Sequence, residues 1–307
     1  MPGIAGRPTG TLTDTYFAVQ AFVRTAKLYD ERYLTYVELE RNDVRLKLFC
    51  LDPSHLLRQA GKGYRAKIFF SATLSPLAYY IDVLGGSDED YSMSVPSPFS
   101  KEQLDVRIHP VSTRYKDREA TRRSIARMIH DLTQAEKGNY LIFFPSFEYM
   151  NAVVEEYVSF GPQAKMIVQQ TSMSEEEREG FLNEFQAGNE RTLVGFAVLG
   201  GLFSEGIDLQ GDRLTGVVVV GVGSPQVGPE RDVIKEYFNR TGRNGFDYAY
   251  VYPGMNKVLQ AGGRLIRSEQ DRGTLVLADD RYLQSKYRQL LPPDWQDFRI
   301  IQYREQP

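Results

Sequence analysis

A single cysteine, Cys50, serves the whole 307-residue chain. An internal disulfide and a four-cysteine iron–sulfur cluster are therefore excluded. Cys50 lies in an apolar run and reads as a small buried hydrophobe. A reducing, cytoplasmic location is the expectation. No apolar run reaches the ~20 residues that span a bilayer. The opening Met1-Pro-Gly-Ile-Ala-Gly-Arg-Pro8 has no apolar core of signal-peptide length. The net charge of −3 excludes a protein that attracts nucleic acid with its whole surface, so any such path must be a local basic strip. Two further absences concern chemistry. No Gly-x-x-x-x-Gly-Lys-Ser/Thr occurs, and Gly61-Lys62-Gly63 is not one. No Asp-Glu-x-His or Asp-Glu-x-Asp string follows a strand, since Asp88-Glu89-Asp90 sits in a polar loop. Those elements hold phosphates and Mg²⁺ in P-loop ATPases.

What is present describes an ordinary globular chain, 42% hydrophobic and 25% charged, long enough for one large domain or two small ones. Residues 1–12 are rich in Gly, Pro and Thr and read as a disordered or cut end. Apolar spacing predicts a helix over 14–28, with Asp14 as its cap. Strands follow over 33–40 and 44–51, joined as a hairpin at Asn42-Asp43. A short helix over 55–60 closes at Gly61, a strand covers 67–70, and a helix over 77–84 stops at Gly85-Gly86. Residues 87–118, polar and marked by Pro96, Pro98 and Pro110, read as a connector. Beyond it, helices over 118–136, 148–160, 174–187, 230–240 and 253–267 alternate with strands over 140–144, 165–169, 192–198, 217–222 and 273–278. Ser174 and Glu177 have capping-box spacing. Such alternation means βαβ units and a parallel sheet, a RecA-like α/β domain over about 110–290.

Four segments carry candidate chemistry. Phe70-Ser-Ala-Thr-Leu-Ser-Pro76 places hydroxyls at a strand's carboxyl end, where ligands sit in open α/β sheets. Leu141-Ile-Phe-Phe-Pro-Ser-Phe147 ends a strand and starts a helix, so Ser146 and nearby N–H groups suit a phosphate. Phe147 is equally suited to core packing and to stacking on a base. Leu199-Gly-Gly-Leu-Phe-Ser-Glu-Gly-Ile-Asp-Leu209 puts carboxylates in a glycine-relieved turn. Gln260-Ala-Gly-Gly-Arg-Leu-Ile-Arg267 places Arg264 and Arg267 on one side of a predicted helix, with Gln260 a turn earlier. Taken alone, that last segment is more often a solvated basic face. The basic and aromatic cluster of Arg231, Lys235, Tyr237, Phe238, Arg240 and Arg243 is also read as the wet face of a helix in preference to a single-strand groove.

In chain order the four segments resemble motifs III to VI of superfamily 2 helicases, in wording closest to the XPD/DinG-like branch, over about residues 46–282. That branch moves 5′ to 3′ on single-stranded DNA. The resemblance implies that Ser71 and Thr73 couple the nucleotide and DNA sites, and that Ser146, Phe147, Thr171 and Ser204 lie on the DNA path. It also implies that Glu205, Gly206 and Asp208, together with Gln260 and Gly263, face the nucleotide. Arg264 and Arg267 have the chemistry of an arginine finger, whose planar fork stabilises charge on a γ-phosphate and accelerates transfer by ~10³–10⁵-fold. The chain thus resembles the trans half of an ATP site without its cis half. Residues 1–35 are expected to be a disordered end and a helix from the tail of an inserted arch. Residues 36–110 would end a first motor domain, and 111–307 would form the second. ATP with Mg²⁺, single-stranded DNA and a separately encoded or upstream first motor domain are the implied partners, with the Mg²⁺ ligands in that missing half. No metal site and no membrane contact are expected of this chain. A non-catalytic RecA-like binding module is the alternative, and an unrelated sugar-nucleotide-binding α/β domain is a weaker one.

Overall fold

Short apolar strands separated by helices join in parallel, because each crossover returns the chain to the edge it left. The computed structural model, which describes residues 9–40, 43–201, 203 and 209–302, has this architecture. The chain forms two compact units. Ser71–Pro76 and Ser92–Pro307 belong to the larger, Met1–Phe70 and Leu77–Tyr91 to the smaller.

In the larger unit seven strands form one sheet: β3 (Leu104–His109), β4 (Asn139–Phe144), β5 (Lys165–Val168), β6 (Leu193–Val198), β7 (Gly216–Val220), β8 (Gly273–Ala278) and β9 (Arg299–Ile300). Their order is β5-β6-β4-β7-β8-β3-β9, and every pairing is parallel. Alternation along each strand sends side chains to two cores. Tyr140, Ile142, Phe144, Val218 and Val220 meet helices α4 (Arg118–Ala135) and α5 (Phe147–Ser159). Leu141, Phe143, Val217 and Val219 meet α6 (Glu175–Asn183), α8 (Tyr252–Gly262) and Trp295 of the C-terminal segment. Helix α7 (Pro229–Arg240) precedes α8 and buries Phe238 against Tyr248. The expected capping box forms at Ser174 and Glu177.

Three expectations are corrected here. Residues 87–118 are not merely a connector, because they carry β3. Its apolar Val106 and Ile108 alternate with Asp105 and Arg107, so the strand is hidden in a polar-looking stretch. The strand over 273–278 is not the last, because β9 follows it and pairs with β3. The helix expected over 253–267 ends at Gly262, with Gly263 as its cap. A Cβ on Gly262 would lie 2.3 Å from the Trp295 ring, so the small residue serves tertiary packing. A glycine pair also has the weakest helix propensity apart from proline.

The smaller unit holds α1 (Thr9–Ala26), the antiparallel hairpin β1 (Tyr33–Glu40) and β2 (Asp43–Cys50), α2 (Ser54–Ala60) and α3 (Leu77–Val83). Arg58 of α2 donates to the carbonyls of Gly85 and Gly86 just past α3, at 2.9 and 3.0 Å. Asp14 is interior to α1 rather than its cap, since no proline interrupts residues 9–13. The strand expected over 67–70 is absent. Ile68 and Phe70 are 82% and 89% exposed, and no described strand offers them a ladder. Cys50 is half-buried rather than buried. The reason is general: among the described residues of this unit no hydrophobic side chain is buried.

Close backbone packing positions α8. A Cβ on Gly254 would meet Val222 O at 2.7 Å and Ser224 N at 2.9 Å, because the helix start lies directly on the loop after β7. Gly254→Leu is therefore expected to destabilise the fold by about 1–3 kcal/mol. Gly180→Ala, at a helical site where a Cβ meets nothing within 4 Å, is expected to stabilise it by about 0.5–1 kcal/mol. Denaturant unfolding of both variants checks the pair, and equal effects would contradict the packing account.

Candidate functional site

All seven strands run the same way, so the sheet has an amino edge, where strands begin, and a carboxyl edge, where they end, about 20 Å apart for a six-residue strand. The arginine segment is at the amino edge, not the carboxyl edge. It follows α8 and leads into β8. Gly263 N–H bonds Leu259 O at 2.9 Å, and Leu265 turns into the core at 1% exposure. Arg264 is buried and Arg267 exposed, so the shared helical face expected of them is not formed. Gln260 and Gly263 lie with them at the helix end.

The loop is held by Asp271. Its buried carboxylate accepts from Arg267 N–H at 2.6 Å, Ser268 N–H and Oγ–H both at 2.8 Å, and Gly211 N–H at 2.9 Å. Burial pushes its pKa up, but the Ser268 hydroxyl and the backbone N–H donors outweigh burial and leave it below the usual carboxylate value. Gln103, just ahead of β3, donates to the Ser268 and Asp271 carbonyls, each at 2.9 Å. Three entries to the sheet are thereby tied around Arg267. Sequence reasoning passed over Asp271, although Ser268-x-x-Asp271 ahead of a strand has the spacing of a side-chain-capped turn.

The carboxyl edge carries Ser146, Phe147 and Thr171. Ser146 caps α5 by accepting from Tyr149 N–H at 3.3 Å. Phe147 is half-buried and packs on the core beside α4 and α5. Thr171 is exposed just past β5. Gly200, after β6, has a φ of +71°, and a Cβ there would lie 2.9 Å from Lys257 of α8, so that lysine uses the close approach. Asp279, fully buried after β8, accepts from Arg281 Nε and Nη2, both at 2.8 Å, and from the Thr113 hydroxyl. Ser71 and Thr73 sit side by side in the larger unit, their hydroxyls 3.3 Å apart, with Thr73 N–H donating to Ser71 Oγ. Ser204, Glu205, Gly206 and Asp208 lie outside the described residues. The α7 cluster behaves as a helix face: Lys235 pairs with Asp232 and Arg240 with Glu236 within the helix.

A carboxylate whose folded pKa is depressed stabilises the fold above its unfolded pKa and loses that contribution as pH falls through the folded value. Asp271→Asn is thus expected to cost about 1.5–3 kcal/mol at pH 7 and to flatten the acid limb of the stability curve. Amide hydrogen exchange at Arg267 and Ser268 is expected to accelerate. Urea unfolding from pH 7 to pH 3 with exchange at those amides tests this. An unchanged acid limb would show that Asp271 does not hold the loop.

Comparison with known proteins places this geometry. Residues 129–298 match the Helicase C-terminal domain family. Over 268 residues the chain is 28% identical to the general transcription and DNA repair factor IIH helicase subunit XPD of Schizosaccharomyces pombe, covering 80% of this chain and 34% of that protein. Over 250 residues it is 28% identical to the ATP-dependent DNA helicase DinG of Photobacterium profundum, covering 77% and 35%. A solved XPD helicase shares the fold, with a TM-score of 0.68 at 18% identity over 93% of this chain and 50% of that one. The chain spans about a third of the length of the curated relatives it matches. It belongs to the helicase C-terminal domain family, in the XPD/DinG-like branch of superfamily 2.

Proposed function

We propose that this chain supplies the second motor domain of an ATP-dependent helicase that moves 5′ to 3′ on single-stranded DNA. The observation that carries the proposal is Arg267. It is exposed, yet its backbone is fixed through Asp271 to three entries of the sheet. A guanidinium that is both free to meet an oxyanion and mounted on a rigid base suits transition-state charge, because little reorganisation is left for the reaction. Arg264 and Gln260 flank it from the buried side and the helix end. In this reading Gly263 with Glu205, Gly206 and Asp208 complete the nucleotide side. Ser146, Phe147, Thr171 and Ser204 line the strand's path, and Ser71 with Thr73 couples the two.

The phosphate loop and the Mg²⁺ ligands belong to a first motor domain, in the same longer polypeptide or a separate subunit. Among the described residues no group of three His, Cys, Asp or Glu is placed to hold a metal ion. The smaller unit supports such a partner. A unit of this size with no buried apolar side chain among its described residues does not offset its own conformational entropy. We read it as the last part of the first motor domain, with α1 from an inserted arch, its core completed by the strands that precede it.

The isolated chain is expected to hydrolyse no ATP, with or without DNA. United with its first motor domain, Arg267→Ala is expected to lower single-turnover hydrolysis by about 10³–10⁵-fold and nucleotide affinity much less. The melting temperature should hold, since Arg267 is exposed, and Arg267→Lys should rescue poorly. Near-normal hydrolysis in the alanine variant would remove Arg267 from the mechanism. A collapsed melting temperature would make it structural.

A further inference from the structure

At the carboxyl edge, the short turn between β3 and α4 holds an aromatic ring in solvent. Tyr115 is 77% exposed, yet the backbone around it is clamped. Ser112 Oγ–H donates to Asp117 at 2.6 Å, and Thr121 Oγ–H donates to Ser112 O at 2.8 Å. Arg114 Nη1 donates to both oxygens of Asp280, at 2.8 and 2.9 Å. Tyr115 shares its cation with a second ring. The Arg118 guanidinium lies 5.5 Å from the Tyr115 ring centre and 4.8 Å from that of Tyr149. Tyr149 is the residue whose N–H the Ser146 cap accepts from. The half-buried Arg118 guanidinium therefore links the exposed Tyr115 ring to the buried Tyr149 ring at the start of α5. Lys116, next in the chain, is exposed.

We propose that Tyr115 is a stacking platform for one unpaired base of a single-stranded nucleic acid, with Lys116 contacting the adjoining phosphate and Arg118 polarising the ring from behind. This rests on the reading that the strand follows the carboxyl edge. The physics favours an unpaired base. Every base has a π-face, but in a duplex both faces are covered by neighbours. A ring carried on a clamped backbone loses less entropy on stacking than one on a mobile loop. A cation beneath it leaves the outer face suited to the polarised ring of a base. Phosphates reached by Lys116 and by the α5 start fix the register without reading sequence.

The test uses the whole chain and a labelled oligothymidylate, with an oligouridylate as the RNA arm. Wild-type binding is expected to weaken with salt. Tyr115→Ala is expected to weaken binding about 5- to 100-fold, and Tyr115→Trp to restore it, at an unchanged melting temperature. Lys116→Ala is expected to reduce the salt slope by about 0.7. A 5-iodouracil oligonucleotide is expected to photo-crosslink to Tyr115. Wild-type-like binding by Tyr115→Ala with no crosslink there would overturn the platform and leave the edge reading standing. Failure of the wild-type chain to bind either oligonucleotide would overturn both.

Discussion

One constraint governs the molecule: seven strands in a single sheet all point the same way. The turns next to the strands therefore gather at two edges, one of strand beginnings and one of strand ends. Arg267, Asp271, Gly211 and Gln103 meet at the beginnings. Ser146, Thr171, Thr113, Asp279 and Arg281 sit at the ends. The two edges are held apart by the buried strands that join them.

β8 is the clearest of those strands. It is flanked by two buried aspartates, Asp271 ahead of it and Asp279 behind it, each loaded with hydrogen-bond donors. Removing the partners of either would leave an uncompensated charge in the interior, which is far costlier than losing a surface pair. The two carboxylates therefore fix where the strand begins and ends. They also fix how the arginine loop at one end and the β3 turn at the other are presented.

Much of this was legible in the sequence. Strong periodicity located α4, α5 and the buried strands β4, β6 and β7 within a residue or two. The helicase wording of four segments pointed to the family. What was not legible has physical reasons. β3 is apolar on only one face and sits among prolines and charges, so its period of two was drowned. α8 stops early because Gly262 must lie under Trp295, a contact 33 residues away in the chain that no local signal reports. Asp271 and Tyr115 are single residues whose importance comes from donors and cations brought in from other segments. The stretch Lys67 to Phe70 has every local mark of a strand and still is not one, because strands are made by neighbours.

That last stretch has a consequence for handling the protein. Ile68, Phe69 and Phe70 are exposed and lie in no described strand, and Val37, Leu39 and Leu46 of the hairpin are exposed as well. An apolar segment of high β-propensity without a ladder is a template for pairing with its own copies. The colloidal behaviour of the chain will then be set by its smaller unit and not by the well-packed sheet. Concentration, rather than temperature, becomes the variable that decides how long a preparation stays monodisperse.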